Sequence, residues 1–211
     1  MKPKPDSVKI ERAYHHGSLR AALIDAAEDV LAERGVEGFS LRETARRAGV
    51  SPAAPKHHFA DTRALLTALA AGAYSQLAER LESAEAEAGK LRAHRIRAQG
   101  LAYVGFALDQ PALFDLMWRA ALLDFGDENL LMAKERAFNA LDRLVRAGAS
   151  PPASNTDAAM APTMACWSLV HGFARLALDG AFGTDKKSRQ RAVLALLPAV
   201  IDLLVLRGKG I

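Results

Sequence analysis

With 211 residues and a mass of 22.6 kDa, the chain suits one or two domains and can bury a sizeable core. Hydrophobic residues make up 50% and charged residues 25%, which excludes a wholly disordered chain, and a formal charge of +4 does not by itself point to nucleic acid. A lone Cys166, no zinc-type Cys/His spacing, no secretory leader and no apolar run of about 20 residues imply a cytoplasmic protein without membrane partner, disulfide or metal.

In chain order, residues 1–16 read as a mobile basic arm, with Lys2, Lys4, Lys9 and Arg12 in a proline-containing stretch that has no apolar period. Residues 18–34 carry Leu19, Leu23, Ala26, Ala27, Val30 and Leu31 on one helical face, and Gly35 follows where a helix-ending glycine belongs. Ser40 and Glu43 form a capping box, in which hydroxyl and carboxylate satisfy backbone donors reciprocally, and Gly49 ends this second helix after about two turns. Ser51-Pro52 starts a third helix, with an N-cap residue followed by proline at its first position. Asp61 caps a fourth that reaches about residue 85. Further helices are expected over about 90–108, 111–124, 128–147, 156–180 and 186–207, punctuated by Gly89, Pro111, Gly126, the loop 148–155 and Gly180–Gly183. The class is all-α, with about nine helices. A three-helix N-terminal bundle (17–62) precedes a larger helical domain (63–211).

The informative stretch is Phe39–Phe59, FSLRETARRAGVSPAAPKHHF. Two short helices around a tight glycine turn make a helix-turn-helix: Ala45 is small where helices cross, Gly49 supplies the turn, and Val50 plugs the space between them. Arg42, Arg46, Arg47 and Lys56 face only Glu43, and such a local basic excess suits phosphates. An ordinary hairpin with a solvated basic face remains the alternative reading of these residues.

The run from Tyr14-His-His-Gly-Ser-Leu-Arg20 through Gly38–Pro55 to His58-Phe59 resembles the DNA-binding domain of TetR-family transcriptional regulators. Trp167-Ser-Leu-Val-His171-Gly172 is similar to the C-terminal Trp…His-Gly motif of one subgroup. The resemblance implies a homodimer that binds double-stranded operator DNA, usually as a repressor, and releases it when a small-molecule effector binds the C-terminal domain. It implies a recognition helix over Pro52–Phe59, with Ser51, Pro52 and Ala53 at base edges and Ser40 and Arg42 at phosphates. Lys56 stands where the family usually has tyrosine, and Thr62 where it usually has lysine, so a stacking phenol and a phosphate-binding ammonium are replaced.

His57 and His58, like His15 and His16, are adjacent residues about 100° apart on a helix, which is not a ready chelate. The alternative places His57 at the DNA surface and His58 partly packed. Residues 192–206 hold thirteen apolar residues in fifteen, broken by Pro198, where a kink or split is expected, and by Asp202. That helix should be covered on nearly all sides, and Ala165, Ser168 and Gly172 allow close approach by a neighbouring helix. A dimer interface through about residues 156–207 and a wholly intramolecular core both fit. Aromatic and methionine side chains cluster between 101 and 145. The candidate effector pocket comprises Tyr103, Phe106, Met117, Trp118, Phe138, Trp167 and His171, with plain core as the alternative. No phosphate loop, HExxH or GxSxG is present, so neither catalysis nor a cofactor is expected. A protein-interaction module or a small-molecule-binding protein without operator function is the competing class.

Overall fold

A computed structural model of the chain describes residues 19–146 and 157–207. The basic arm, His15, His16 and the loop 148–155 lie outside the described residues. Among the described residues there are eight α-helices, three short 3-10 turns and no strand.

Helix α1 (Leu19–Arg34) buries Leu23, Ala27 and Leu31 on one face. Helix α2 (Leu41–Arg47) starts at Ser40, whose hydroxyl oxygen accepts from the Glu43 N–H at 3.4 Å. The reciprocal half of the capping box does not form, because the Glu43 carboxylate is taken by Arg46 and Arg47. The helix ends in a paired closure: Val50 N–H donates to the Ala45 carbonyl at 3.0 Å and Gly49 N–H to that of Arg46 at 3.2 Å. This closure needs φ of +71° at Gly49, a conformation costly to residues with a Cβ.

The third helix expected over Pro52–Phe59 is replaced by a 3-10 turn over Ala54–His57. The physical reason is Pro55. It has no N–H to donate to Ser51, and its ring would collide with that carbonyl in an α-helix. The chain instead closes i to i+3 contacts, Ala54 N–H to Ser51 O at 3.0 Å and Lys56 N–H to Ala53 O at 3.2 Å.

Helix α3 (Thr62–Glu87) is capped by Asp61, whose carboxylate accepts from Ala64 N–H at 2.8 Å. It is the longest element, packing first on α1 and then on the later helices. Helices α4 (Arg92–Asp109), α5 (Pro111–Met117), α6 (Glu128–Val145), α7 (Ala161–Leu178) and α8 (Lys186–Arg207) complete the body. One core runs without a gap from Leu23, Leu31 and Phe59 through Leu69 and Phe114 to Leu197 and Ile201. The expected domain boundary at 62/63 therefore falls on the first turn of α3, with no linker.

Three expected helices differ in outline. The helix over 111–124 stops at Met117, after which Arg119 leaves helical backbone and a 3-10 turn spans Ala120–Leu122. The element over 156–180 begins as a 3-10 turn at Ala158–Met160, and α7 restarts with Pro162 in its first turn. Helix α8 does not split at Pro198. Buried Val193, Leu197 and Ile201 hold it to its neighbours on either side of the proline. Gly100 of α4 lets it come close, since a Cβ there would lie 2.4 Å from Ile201 Cδ1. Nor is α8 covered on nearly all sides within one chain: Leu194 is 69% and Leu203 62% exposed.

Candidate nucleic-acid interface and internal cavity

The short turn after Gly49 carries the candidate DNA contacts on its outer side. Ser51, Pro52, Ala53, Lys56, His57 and His58 are all exposed, while Pro55 and Phe59 anchor the turn from beneath. His58 is therefore exposed rather than partly packed, since Phe59 takes the inward position. The Arg20 guanidinium lies 5.1 Å over the Phe59 ring and covers the anchor from the other side.

The basic residues divide into two groups. Glu43 binds Arg46 through two contacts of 2.8 Å, Arg47 at 3.1 Å and Arg34 at 3.2 Å. Arg47 also pairs with Glu33. Hydrogen bonds from Arg46 and Arg47 hold the Glu43 carboxyl down to about 2. Arg34 and Arg47 fasten α2 to α1, while Arg46 braces Glu43 within α2. Arg42 and Lys56 are exposed and, among the described residues, form no ion pair.

Two connections join this unit to the helical body. Arg119, just after α5, pairs with Glu37 in the α1–α2 connection at 3.2 Å and with Asp115 at 3.0 Å. Asp115 also meets Arg175 of α7 at 3.4 Å. A few residues on, the Leu123 carbonyl accepts from Arg63 at 2.6 Å, and Asp124 N–H donates to Thr67 Oγ1 at 2.9 Å. Both acceptor and donor thus bind the first turns of α3, immediately after the exposed turn.

Within the body lies a cavity of about 1110 Å³. Its wall includes Tyr103, Trp118, Phe138 and Trp167 from the sequence-based set. Three residues of that set are not on the wall. Phe106 is wholly buried with the Arg80 guanidinium 5.4 Å above its ring. Met117 faces the core, and its carbonyl accepts from Tyr74 at 3.1 Å. His171 stands behind the wall, its Nδ1 3.0 Å from the Tyr103 hydroxyl and its ring 4.6 Å from that of Trp118.

Burial raises the Tyr103 phenol, partly countered by the Trp167 indole facing the same oxygen. Burial, then Arg175, lowers His171. The neutral imidazole is thereby favoured, and its Nδ1 shares a hydrogen bond of 3.0 Å with the Tyr103 hydroxyl. Burial alone pushes Tyr74 up to about 12.

The sequence reading missed Tyr74, Gln99, Asp142, Met160, Cys166 and Ile201, which also line the cavity. For Gln99 a signal existed: it is a polar residue on the otherwise apolar α4 face of Ile96, Gly100 and Tyr103. At one edge of the wall, Asp142 accepts from Arg146 at 2.7 and 2.5 Å and from Thr163 at 2.8 Å. Among the described residues no cluster suits a metal ion, and no helix is long and apolar enough to cross a membrane.

An exposed helix-turn-helix fastened to a helical body is the architecture of a DNA-binding regulator. Residues 23–69 match the family model "Bacterial regulatory proteins, tetR family", and residues 96–200 match "Tetracyclin repressor-like, C-terminal domain". The chain belongs to the TetR family and is a DNA-binding transcriptional regulator.

It is 37% identical over 93 residues to the HTH-type transcriptional regulator BetI of Rhizobium meliloti, a match spanning 44% of either chain. A solved protein of unknown function from Rhodococcus sp. RHA1 is 35% identical, with a TM-score of 0.72 over 92% of this chain and 97% of that one. Bacillus subtilis FadR, solved with stearoyl-CoA, shares the fold at 18% identity and a TM-score of 0.65, over 90% and 98% of the two chains.

Proposed function

We propose that the protein is a cytoplasmic homodimeric repressor, released from its operator when a small molecule occupies the 1110 Å³ cavity. Ser51, Pro52 and Ala53 meet base edges, while Ser40, Arg42 and Lys56, with His57 and His58 beside them, meet the phosphate backbone. The reading unit is residues 17–62, and 63–211 bind effector and partner. The basic arm 1–16 adds sequence-independent phosphate attraction.

The observation that carries release is the position of Trp118. It lines the cavity, and the next residue, Arg119, holds Glu37 of the reading unit. A ligand that moves Trp118 displaces one of the contacts that join the reader to the body. Dimerisation is supported by the apolar surface left on α7 and α8. Met164 and Leu176 join Leu194 and Leu203 there, beside exposed Ala165 and Ser168. Two readers are needed for the two half-sites of an operator.

Selection of bound sequences from random duplex DNA, followed by a screen for molecules that release the selected site, tests the reading. A palindromic site and a releasing compound that shields the tryptophans from quenchers support it. Binding with no sequence preference refutes operator function.

A further inference from the structure

Two polar atoms on the cavity wall lack partners. Trp118 Nε1 and Gln99 Oε1 are both buried without a hydrogen bond, and both residues line the same cavity. The orientation of the Gln99 amide follows from its surroundings. Its nitrogen donates to the Glu85 carboxylate at 2.9 Å and to the Ala140 carbonyl at 3.0 Å, both pure acceptors. Flipping the amide would set oxygen against oxygen, so Oε1 is the atom left over. Gln99 is 1% exposed and cannot turn to bulk water. The indole N–H of Trp118 can only donate. Two residues of the wall therefore hold one unmatched donor and one unmatched acceptor amid aromatic rings, each covered by its neighbours and reached by a ligand as those side chains shift. A buried polar group without a partner is costly, and the molecule that satisfies it gains that energy as affinity. At one edge of the wall Arg146 and Asp142 neutralise each other, while Lys134, Glu135 and Arg143 line the same cavity.

We infer that the effector is a largely apolar molecule carrying both a hydrogen-bond acceptor, taken by Trp118 Nε1, and a donor, taken by Gln99 Oε1. A phenol, an alcohol or a carboxamide on an aromatic or aliphatic frame has this pairing. The inference rests on the cavity being the effector site, and it adds the chemistry that selects the ligand.

Three matched probes separate the contributions: naphthalene, 2-methoxynaphthalene and 2-naphthol. They are titrated calorimetrically into the full chain, with thermal melting as the check on folding. The methoxy oxygen can only accept and the phenol can do both. Each satisfied group should tighten binding about tenfold, giving 2-naphthol over 2-methoxynaphthalene over naphthalene. Trp118→Phe keeps a ring against His171 but removes the N–H. It should erase the advantage of 2-methoxynaphthalene and leave naphthalene within about twofold. Gln99→Met should erase only the further advantage of 2-naphthol. Equal affinities for the three probes, or equal loss of all three in both variants, overturn the assignment while leaving the cavity as a binding site. No binding by any probe to the folded wild type overturns the cavity reading, and this inference with it.

Discussion

Replacing Arg42 or Lys56 by alanine should change the salt dependence of DNA binding, whereas replacing Arg47 should not. Arg42 and Lys56 stand exposed without a carboxylate partner among the described residues, so each can neutralise one phosphate per protomer. One such contact contributes about 0.9 to the slope of log affinity against log salt, hence about 1.8 for a dimer. Between roughly 50 and 200 mM salt, a slope change of this size is worth about a twelvefold difference in the affinity lost. Arg47 is committed to Glu33 and Glu43, so Arg47→Ala should lower the melting temperature and leave the slope nearly unchanged. Lys56→Tyr should show the same flattened slope as Lys56→Ala while keeping specific binding, because a phenol can hydrogen-bond phosphate without releasing a counterion. Gel shifts or fluorescence anisotropy at four salt concentrations give the slopes. Flattening by Arg47→Ala equal to that by Arg42→Ala would show that the partition of the arginines is wrong. Unchanged slopes in all the variants would remove these side chains from the phosphate contacts.

Arg119→Ala should shrink the effector's release factor by up to about fivefold, since the exposed pair with Glu37 is worth about 1 kcal/mol or less, and DNA titrations with and without effector measure it. An unchanged factor would send the coupling through Arg63 and Thr67 instead. Leu203→Lys should weaken dimerisation at least about a hundredfold, because two-fold symmetry counts the lost apolar contact twice, and sedimentation at micromolar concentration would then show 22.6 kDa. An intact dimer would move the interface off α8. Asp142→Asn should cost about 2 kcal/mol, lowering the melting temperature by about 4–8 °C, as the pair with Arg146 weakens. Its carboxyl is held below the usual aspartate value by Arg146, then Thr163, so the stabilisation is complete above about pH 4 and is lost on further acidification. The variant should lose less stability than wild type below pH 4, and a parallel acid curve would contradict the assignment.

The elements that sequence reasoning placed well are those fixed by local chemistry. Ser40, Gly49 and Asp61 act within four residues of themselves, and the structure shows each cap or turn where its residue type requires one. Failures came where a local rule met a second constraint. Ser51-Pro52 promised a helix, but Pro55 three residues later removed the donor an α-helix needs. Pro198 promised a kink or a split, and the helix runs on unsplit, held through Leu197 and Ile201. The cavity was harder to see. Aromatic residues signal a large apolar neighbourhood, yet whether a ring faces a cavity or the core depends on which helix crosses it. Phe106 and Tyr103 are three residues apart on α4, and one lies under Arg80 while the other borders the cavity.

Release of DNA requires a ligand to bind one arrangement of the reader better than another, since equal affinity for both shifts nothing. The differential contact must therefore touch both equilibria. Residues 115–124 meet that requirement in a short length of chain. Trp118 borders the cavity, Arg119 and Asp115 connect Glu37 to α7, and residues 123–124 grip α3 directly behind the exposed turn. The end of α5 at Met117 thus has a functional consequence: a continuous helix to residue 124 could not lay these backbone groups against Arg63 and Thr67. An irregular segment can rearrange by turning a few backbone dihedrals, whereas the buried faces of α3 and α6 resist small displacements. Ligand-linked movement should accordingly be concentrated in residues 118–124 and in the angle of α1 and α2 to the body. Hydrogen exchange with and without effector measures this directly, and protection changes spread evenly over α3, α4 and α6 would require a different path.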